Sequence, residues 1–335
     1  EKLNNNFNKK HIEECLHFIE FTINQIISVL KQNFPDLENS RDNYVKRLNN
    51  ILTNYLPELE GDKIIQIGSC VQIHGEKTIS LKHIITLDTC DPIENCIVES
   101  YKTEAEVLLA WTRFIQKVDP DIITGYNIFG FDFSYMVHRA EELECQEEFL
   151  NLGRITEKKS YLECKKLASS ALGDNTLNYI HMDGRVVLDL LKVIQRDHNL
   201  VSYKLDHVSE NFMNDSIYEI KDNKIKVKSV KNLDKGNFIT INMKGDTKYE
   251  DGNKIKIIDI NEDELIVDRV IDNEIIKQSP KWQLAKDDVS PKQIFEFQKQ
   301  GPDKRKIVAT YCVQDCALCL NIIDKLNIIT NNIGM

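Results

Sequence analysis

No run of about 18 apolar residues, the length a membrane-crossing helix needs, occurs in the chain, so the sequence predicts no membrane span and no membrane partner. Glu1 opens the chain without an initiator methionine and without the charged, apolar and small-residue pattern of a secretory leader. It reads as cut from something longer. Excess positive charge is missing as well. The formal net charge is −10, the wrong sign for a protein that simply coats nucleic acid. An acidic balance does suit metal-binding carboxylates that face a locally basic track. A disulfide framework is also lacking. Nine cysteines, an odd number in 335 residues, point instead to a reducing, intracellular compartment. Cys312, Cys316 and Cys319 share a predicted helix and read as a small-residue core face, since a metal cluster there would need a fourth ligand.

What is present is organised around residues 119–139, DPDIITGYNIFGFDFSYMVHR. Asp119-Pro120-Asp121 reads as a turn, with proline fixing φ and the acids bonding their own backbone. Ile122 to Tyr126 is a short apolar run of buried-strand type. Gly125 and Gly130 read as places of unusual backbone angle in a sharp loop. From Asp132 the pattern turns helical, with Phe133, Met136, Val137 and Ala140 on one face. Asn127 and Asp132 thus sit at the switch from strand to helix, at the carboxyl end of a strand, where open α/β sheets carry their chemistry. An acid at a helix start also has an ordinary reading as an N-cap.

Around this centre the chain falls into four parts. Residues 1–60 predict an α-helical hairpin, helices over 8–32 and about 44–55, joined by an acidic link after Pro35. Residues 61–213 begin with strand candidates Lys63–Cys70 and His83–Leu87. A helix follows through Lys117, opened by a Thr103–Glu106 capping box. Residues 151–180 read as a polar connection. A strand ends at Asp189, which reads either as a hydrogen-bonding acid beside a helix or as a metal ligand, and Ser202 reads as the cap of a further helix. Residues 214–280 alternate lysines with Ile and Val. With turns at Asp-Gly, Asn-Glu and Asp-Asn, they predict a small all-β, barrel-like insertion of five or six short strands. Its outward lysines read as solubilising residues or as DNA contacts. Residues 281–335 return to helices, the last from about Asp303 to Leu326.

The segment DPDIITGYNIFGFDFSYM resembles the second exonuclease motif of family B DNA polymerases. YCVQDC, with Tyr311 and Asp315, resembles the third. GRVVLDLL and SYKLDHVSENF fit the same family, and the resemblance covers about residues 61–212 and 280–330. It is nearest to the delta-like enzymes of large DNA viruses. The resemblance implies a ribonuclease-H-like α/β exonuclease fold carrying the hairpin and the β insertion. It implies two Mg²⁺ or Mn²⁺ ions, hard cations that take oxygen ligands. Asp132 and Asp315 would be two of the four carboxylates holding them. Tyr311 would orient the attacking water, and Asn127 and Phe131 would touch the terminal nucleotides. Implied partners are the single-stranded primer 3′ end, the remainder of a polymerase chain and a sliding-clamp processivity factor, in a host nucleus or a cytoplasmic replication site.

One departure stands against the match. The family's first exonuclease motif is an Asp-x-Glu on the first strand, and residues before 61 are helical in pattern. Asp36-Leu37-Glu38 follows Pro35 in a polar link and reads as a coincidence. The expectation is therefore that the sequence starts after the true motif, leaving the first strand of the fold missing. Alternative readings are a polymerase domain that binds DNA without cutting it and a free-standing exonuclease.

Overall fold

The computed structural model describes residues 61–333, apart from 77, 170–172, 232, 246 and 286–288, together with Asn24 and Ser28. Residues 1–61 and 62–335 form separate compact units. The predicted helical hairpin and Asp36-Leu37-Glu38 lie outside the described residues.

The larger unit is mixed α/β. Strands β1 (Gln66–Val71) and β2 (Leu81–Leu87) run antiparallel around the turn at Gly75, and β3 (Ile97–Tyr101) adds to β2 in parallel. Helix α1 (Glu104–Val118) starts at the predicted capping box, with Thr103 and Glu106 bonding each other's backbone. Its apolar face, including Val107, Leu108 and Trp111, packs with Ile85 in the main core. After α1 come β4 (Ile122–Gly125), α2 (Asp132–Glu142) and the short α3 (Gln146–Phe149). Strand β7 (Val186–Asp189) pairs in parallel with β4, from Ile122 opposite Val186 to Gly125 opposite Asp189. Among the described strands, β1 pairs with β2 alone and β4 with β7 alone, so the two sheets are separate.

Three local expectations are corrected here. Residues 151–180 are no plain connection, because β5 (Tyr161–Ser169) and β6 (Gly173–His181) form a long antiparallel hairpin within them. Asp119 does not bond its own backbone. It is a left-handed C-cap, φ 50°, whose carboxylate takes Arg154 and Arg185 at 2.8 Å each. Helix α4 (Leu190–Asp197) is capped by Asp189 as read, but α5 (Leu205–Phe212) is entered at Lys204 without a side-chain cap; Ser202 does not supply one.

The β insertion is a closed barrel. Its strands are β8 (Asn214–Lys221), β9 (Lys224–Val227), β10 (Phe238–Met243), the two-residue β11 (Thr247–Lys248), β12 (Ile255–Asn261), β13 (Glu264–Val267) and β14 (Lys281–Ala285). Closure follows the order β10-β12-β13-β9-β8-β14 and back to β10, with β11 added on β10. Inward residues such as Ile225, Ile239, Ile255, Leu265 and Trp282 make a core of their own. One boundary moves: the barrel runs to Ala285 rather than 280, with Ile275 and Ile276 in a 3₁₀ turn, Asn273–Gln278. Entry and exit strands are neighbours, β8 pairing with β14 at Ser216–Lys281, so the barrel leaves the main body and rejoins it at one place.

Helices α6 (Pro291–Gln298), α7 (Pro302–Lys325) and α8 (Ile328–Ile333) close the chain. By length and composition α7 is long and apolar enough to cross a membrane, which corrects the expectation that no segment would qualify. Much of its apolar surface is inside the protein, with Val308, Ala309, Val313, Leu318 and Ile322 all buried. Near its start, the buried Arg305 guanidinium donates to the Thr89 carbonyl at 2.6 Å, to Thr89 Oγ1 at 3.0 Å and to the carbonyls of Gln298 and Gln300. That clamp ties α7 to the end of β2.

Candidate exonuclease site

The loop from Tyr126 to Phe131 is shaped by its own residues and then held from across the sheet. Asn127, not a glycine, takes the left-handed angle, φ 63°. Its carbonyl accepts from the N–H groups of Gly130 and Phe131, at 3.0 and 3.1 Å. The two glycines are needed for room rather than for angle, which corrects the sequence reading. A Cβ on Gly125 would lie 2.6 Å from Ile128 Cγ2, and one on Gly130 would lie 2.3 Å from Asn127 Oδ1.

Asp189 holds the loop from the neighbouring strand. Its Oδ1 accepts from the N–H groups of Asn127 and Leu191, each at 2.9 Å, and its Oδ2 accepts from Phe129 N–H at 3.0 Å. The residue is 1 % exposed. Burial pushes its carboxyl above the usual range, while the three N–H bonds pull it back. These bonds use both oxygens on backbone donors, as the hydrogen-bonding reading anticipates. Sequence reasoning had the cap on α4 but not the two long-range bonds, because nothing local marks them.

Asp132 is the first residue of α2, and the N-cap is Phe131, which makes no side-chain bond. The capping reading of Asp132 therefore does not describe it. The residue is open to solvent on one side, yet enough protein crowds the carboxyl that lost hydration pushes its pKa up to about 6. Its own backbone N–H lowers the value, and the charge of Asp189 raises it further. A raised carboxyl pKa favours the protonated form in the fold. That advantage is complete below the usual carboxylate value near 3.9 and is lost as pH rises through about 6. In metal-free protein, Asp132→Asn is thus expected to raise the melting temperature at about pH 8 and to leave it unchanged at about pH 4. Equal gains at both pH values in scanning calorimetry would contradict this.

Phe131, 57 % exposed, stacks on Tyr135 with ring centroids 5.1 Å apart. Its ring is available to a base. Asn127 turns its amide against Gly130 instead, so it shapes the loop in this state.

Tyr311 and Asp315 lie one turn apart on α7, both half-buried. The helix is pressed on β1 at Gly68, where a Cβ would meet Cys312 Sγ at 2.9 Å and Cys316 Sγ at 3.0 Å. The Cys312 sulfur receives the Gly68 N–H and feels the charges of both Asp315 and Asp132. Two motifs far apart in sequence are thereby brought to one neighbourhood. A hydrogen bond to Cys312, and then burial, push the Cys316 thiol well above its usual range. Cys319 packs with Leu190 and Ile323, so the cysteine stripe faces the core. Among the described residues no disulfide is formed.

A two-ion centre of Mg²⁺ or Mn²⁺ needs several oxygen ligands. Among the described residues no group of three or more His, Cys, Asp or Glu side chains could hold a metal. Asp132 and Asp315 do not complete such a centre by themselves.

The profile of the DNA polymerase family B exonuclease domain matches residues 11–208, more than half the chain, and the chain belongs to that family. It is 43 % identical over 291 residues to the DNA polymerase of Pyramimonas orientalis virus, covering 87 % of this chain and 23 % of that protein. With the DNA polymerase of Phaeocystis pouchetii virus the identity is 32 % over 332 residues, covering 91 % and 32 %. The DNA polymerase delta catalytic subunit of Glycine max is 41 % identical over 161 residues, covering 48 % and 15 %. The chain therefore spans about a quarter to a third of the viral relatives' length.

Proposed function

We propose that this chain is the proofreading 3′–5′ exonuclease region of a DNA-directed DNA polymerase acting in viral DNA replication. On this reading it hydrolyses mispaired 3′-terminal nucleotides and releases nucleoside monophosphates. The observation that carries it is the match of residues 11–208 to the family's exonuclease domain, with Asp132 and Asp315 both within electrostatic reach of Cys312. The fold is ribonuclease-H-like on this reading, with one further strand belonging between β1 and β4. The separate sheets support that placement. Asp132 and Asp315 supply two carboxylates toward a divalent-metal centre whose other ligands lie outside the described residues. Phe131 stacks on the terminal base, and Tyr311 positions the attacking water through a hydroxyl too weakly acidic to serve as a base at neutral pH. The remainder of the polymerase chain and DNA are its partners, in a reducing intracellular compartment.

A second reading, a domain that binds DNA without cutting it, is favoured by the lack of a three-member donor cluster among the described residues. One assay separates the two. Full-length protein is incubated with 5′-labelled single-stranded DNA and Mg²⁺ or Mn²⁺, with a chelator as control. Proofreading predicts a ladder shortened stepwise from the 3′ end, lost with chelator. Retained binding without shortening would favour the second reading.

A further inference from the structure

A small cavity of about 70 Å³ lies where α7, α5, β2 and the barrel meet. Asp315, Gln314 and Asn321 line it from α7, Lys82 lines it from β2, and Asn237 and Phe238 line it from the barrel. The barrel reaches this place through one tight turn. Asp234 N–H donates to Asn237 Oδ1 at 2.8 Å, Asn237 N–H returns to the Asp234 carbonyl at 3.1 Å, and Gly236 between them takes φ 90°. Two ion pairs fix this rim to the body, Asp234 with Lys82 at 2.8 Å and Lys231 with Asp324 at 2.5 Å. The rim thus stands beside Asp315.

The rim carries charge and a ring together. Lys235 is exposed in the turn. Lys256, opposite Phe238 on β12, holds its Nζ 5.9 Å above the Phe238 ring. On another part of the barrel Lys224 pairs with Glu264 and Lys226 with Asp263. Lys235 and Lys256 have no ion pair among the described residues. Uncompensated cations beside an aromatic face are what a single strand needs, phosphates on the lysines and a base on the ring.

We propose that Lys235, Lys256 and Phe238 form a binding subsite for single-stranded DNA, guiding the strand whose 3′ end reaches Asp315. This rests on the exonuclease reading above. The subsite acts on binding, so it should alter KM rather than the hydrolytic step.

The test uses the full-length protein and a labelled single-stranded oligonucleotide in metal-free buffer, where nothing is cut, with binding read by fluorescence anisotropy. Charge reversal of both lysines, K235E with K256E, is expected to weaken binding about tenfold or more at low salt. It should also flatten the slope of log affinity against log salt by about 1.4, at about 0.7 per lost phosphate contact. Phe238→Leu, which keeps apolar packing, should weaken binding with no change in that slope. Unchanged affinity and slope in the lysine variant would overturn the subsite. Cleavage with Mn²⁺ is scored separately. A protein that binds through these lysines yet cuts nothing overturns the exonuclease reading and leaves the subsite standing. Normal cleavage with lysine-independent binding does the reverse.

Discussion

Asp315→Ala in the full-length protein is expected to abolish 3′-terminal excision while leaving DNA synthesis nearly unchanged. The substitution removes a carboxylate from the middle of α7 without loosening the helix. The Arg305 clamp on Thr89 and the contact of Cys312 and Cys316 with Gly68 both remain. Thermal melting should therefore stay close to wild type, and the loss should be chemical. Tyr311→Phe keeps the ring and deletes only the hydroxyl. Its expected cost is about 10²–10⁴-fold, the range for a positioned group in proton handling. Both are read as the rate of stepwise shortening of a mismatched primer, with nucleotide incorporation measured on the same preparation. A harmless Tyr311→Phe together with a mildly impaired Asp315→Ala would remove both residues from the reaction.

Arg139→Met is expected to destabilise the larger unit by about 3–5 kcal/mol, the usual penalty for stripping one partner from a buried ion pair. Arg139 is 2 % exposed, and its guanidinium grips Glu104 by two bonds, Nε to Oε1 at 2.8 Å and Nη2 to Oε2 at 2.5 Å. Glu142 takes a third, from Nη1. Glu104 Oε1 also accepts the Ile64 N–H at 2.9 Å, so one carboxylate joins α1, α2 and the approach to β1. With Arg139 gone, Glu104 is left charged and buried with a single backbone donor. Replacing both residues, Glu104→Met with Arg139→Met, should recover a large part of the loss, since matched apolar groups remove the uncompensated charge. Chemical denaturation of the three variants measures the coupling. A double variant as unstable as Arg139→Met alone would show that losing the Ile64 bond to Glu104 offsets the removal of the uncompensated charge.

Elements with strong local signals were legible in the sequence. Strand β4, the α1 capping box and the small all-β insertion stand where apolar spacing and turn residues put them. Strand β3 and the β5–β6 hairpin were not. The sides of Ile97–Tyr101 alternate weakly, with Ile97 itself 52 % exposed, so its place comes from pairing with β2. On the hairpin, Lys165 and Lys166 stand opposite Leu177 and Thr176, while Leu162, Tyr179 and Ile180 pack on the main core, so the apolar positions gather at one end rather than alternating along the strands. At the site, the residue types at 127, 131, 132, 311 and 315 were readable through the family motifs. The need for bare backbone at Gly68 and Gly125 was not, because each is set by a side chain that only the tertiary fold brings close.

The bonds from Asp189 also set an order of events. They reach back 60 and 62 positions, to Phe129 and Asn127. A chain growing at about 5–20 residues per second exposes the Asn127 loop on the order of 3–12 s before the acid that holds it has been made. During that interval the loop's two N–H groups have only water, and Asp132 has no fixed platform. The contact between Cys70 and the Val313 carbonyl spans 243 positions and completes later still. The site is thus among the last parts of the nascent domain to mature, and a ribosome paused before residue 189 would carry a domain whose sheet is begun and whose candidate site is unformed.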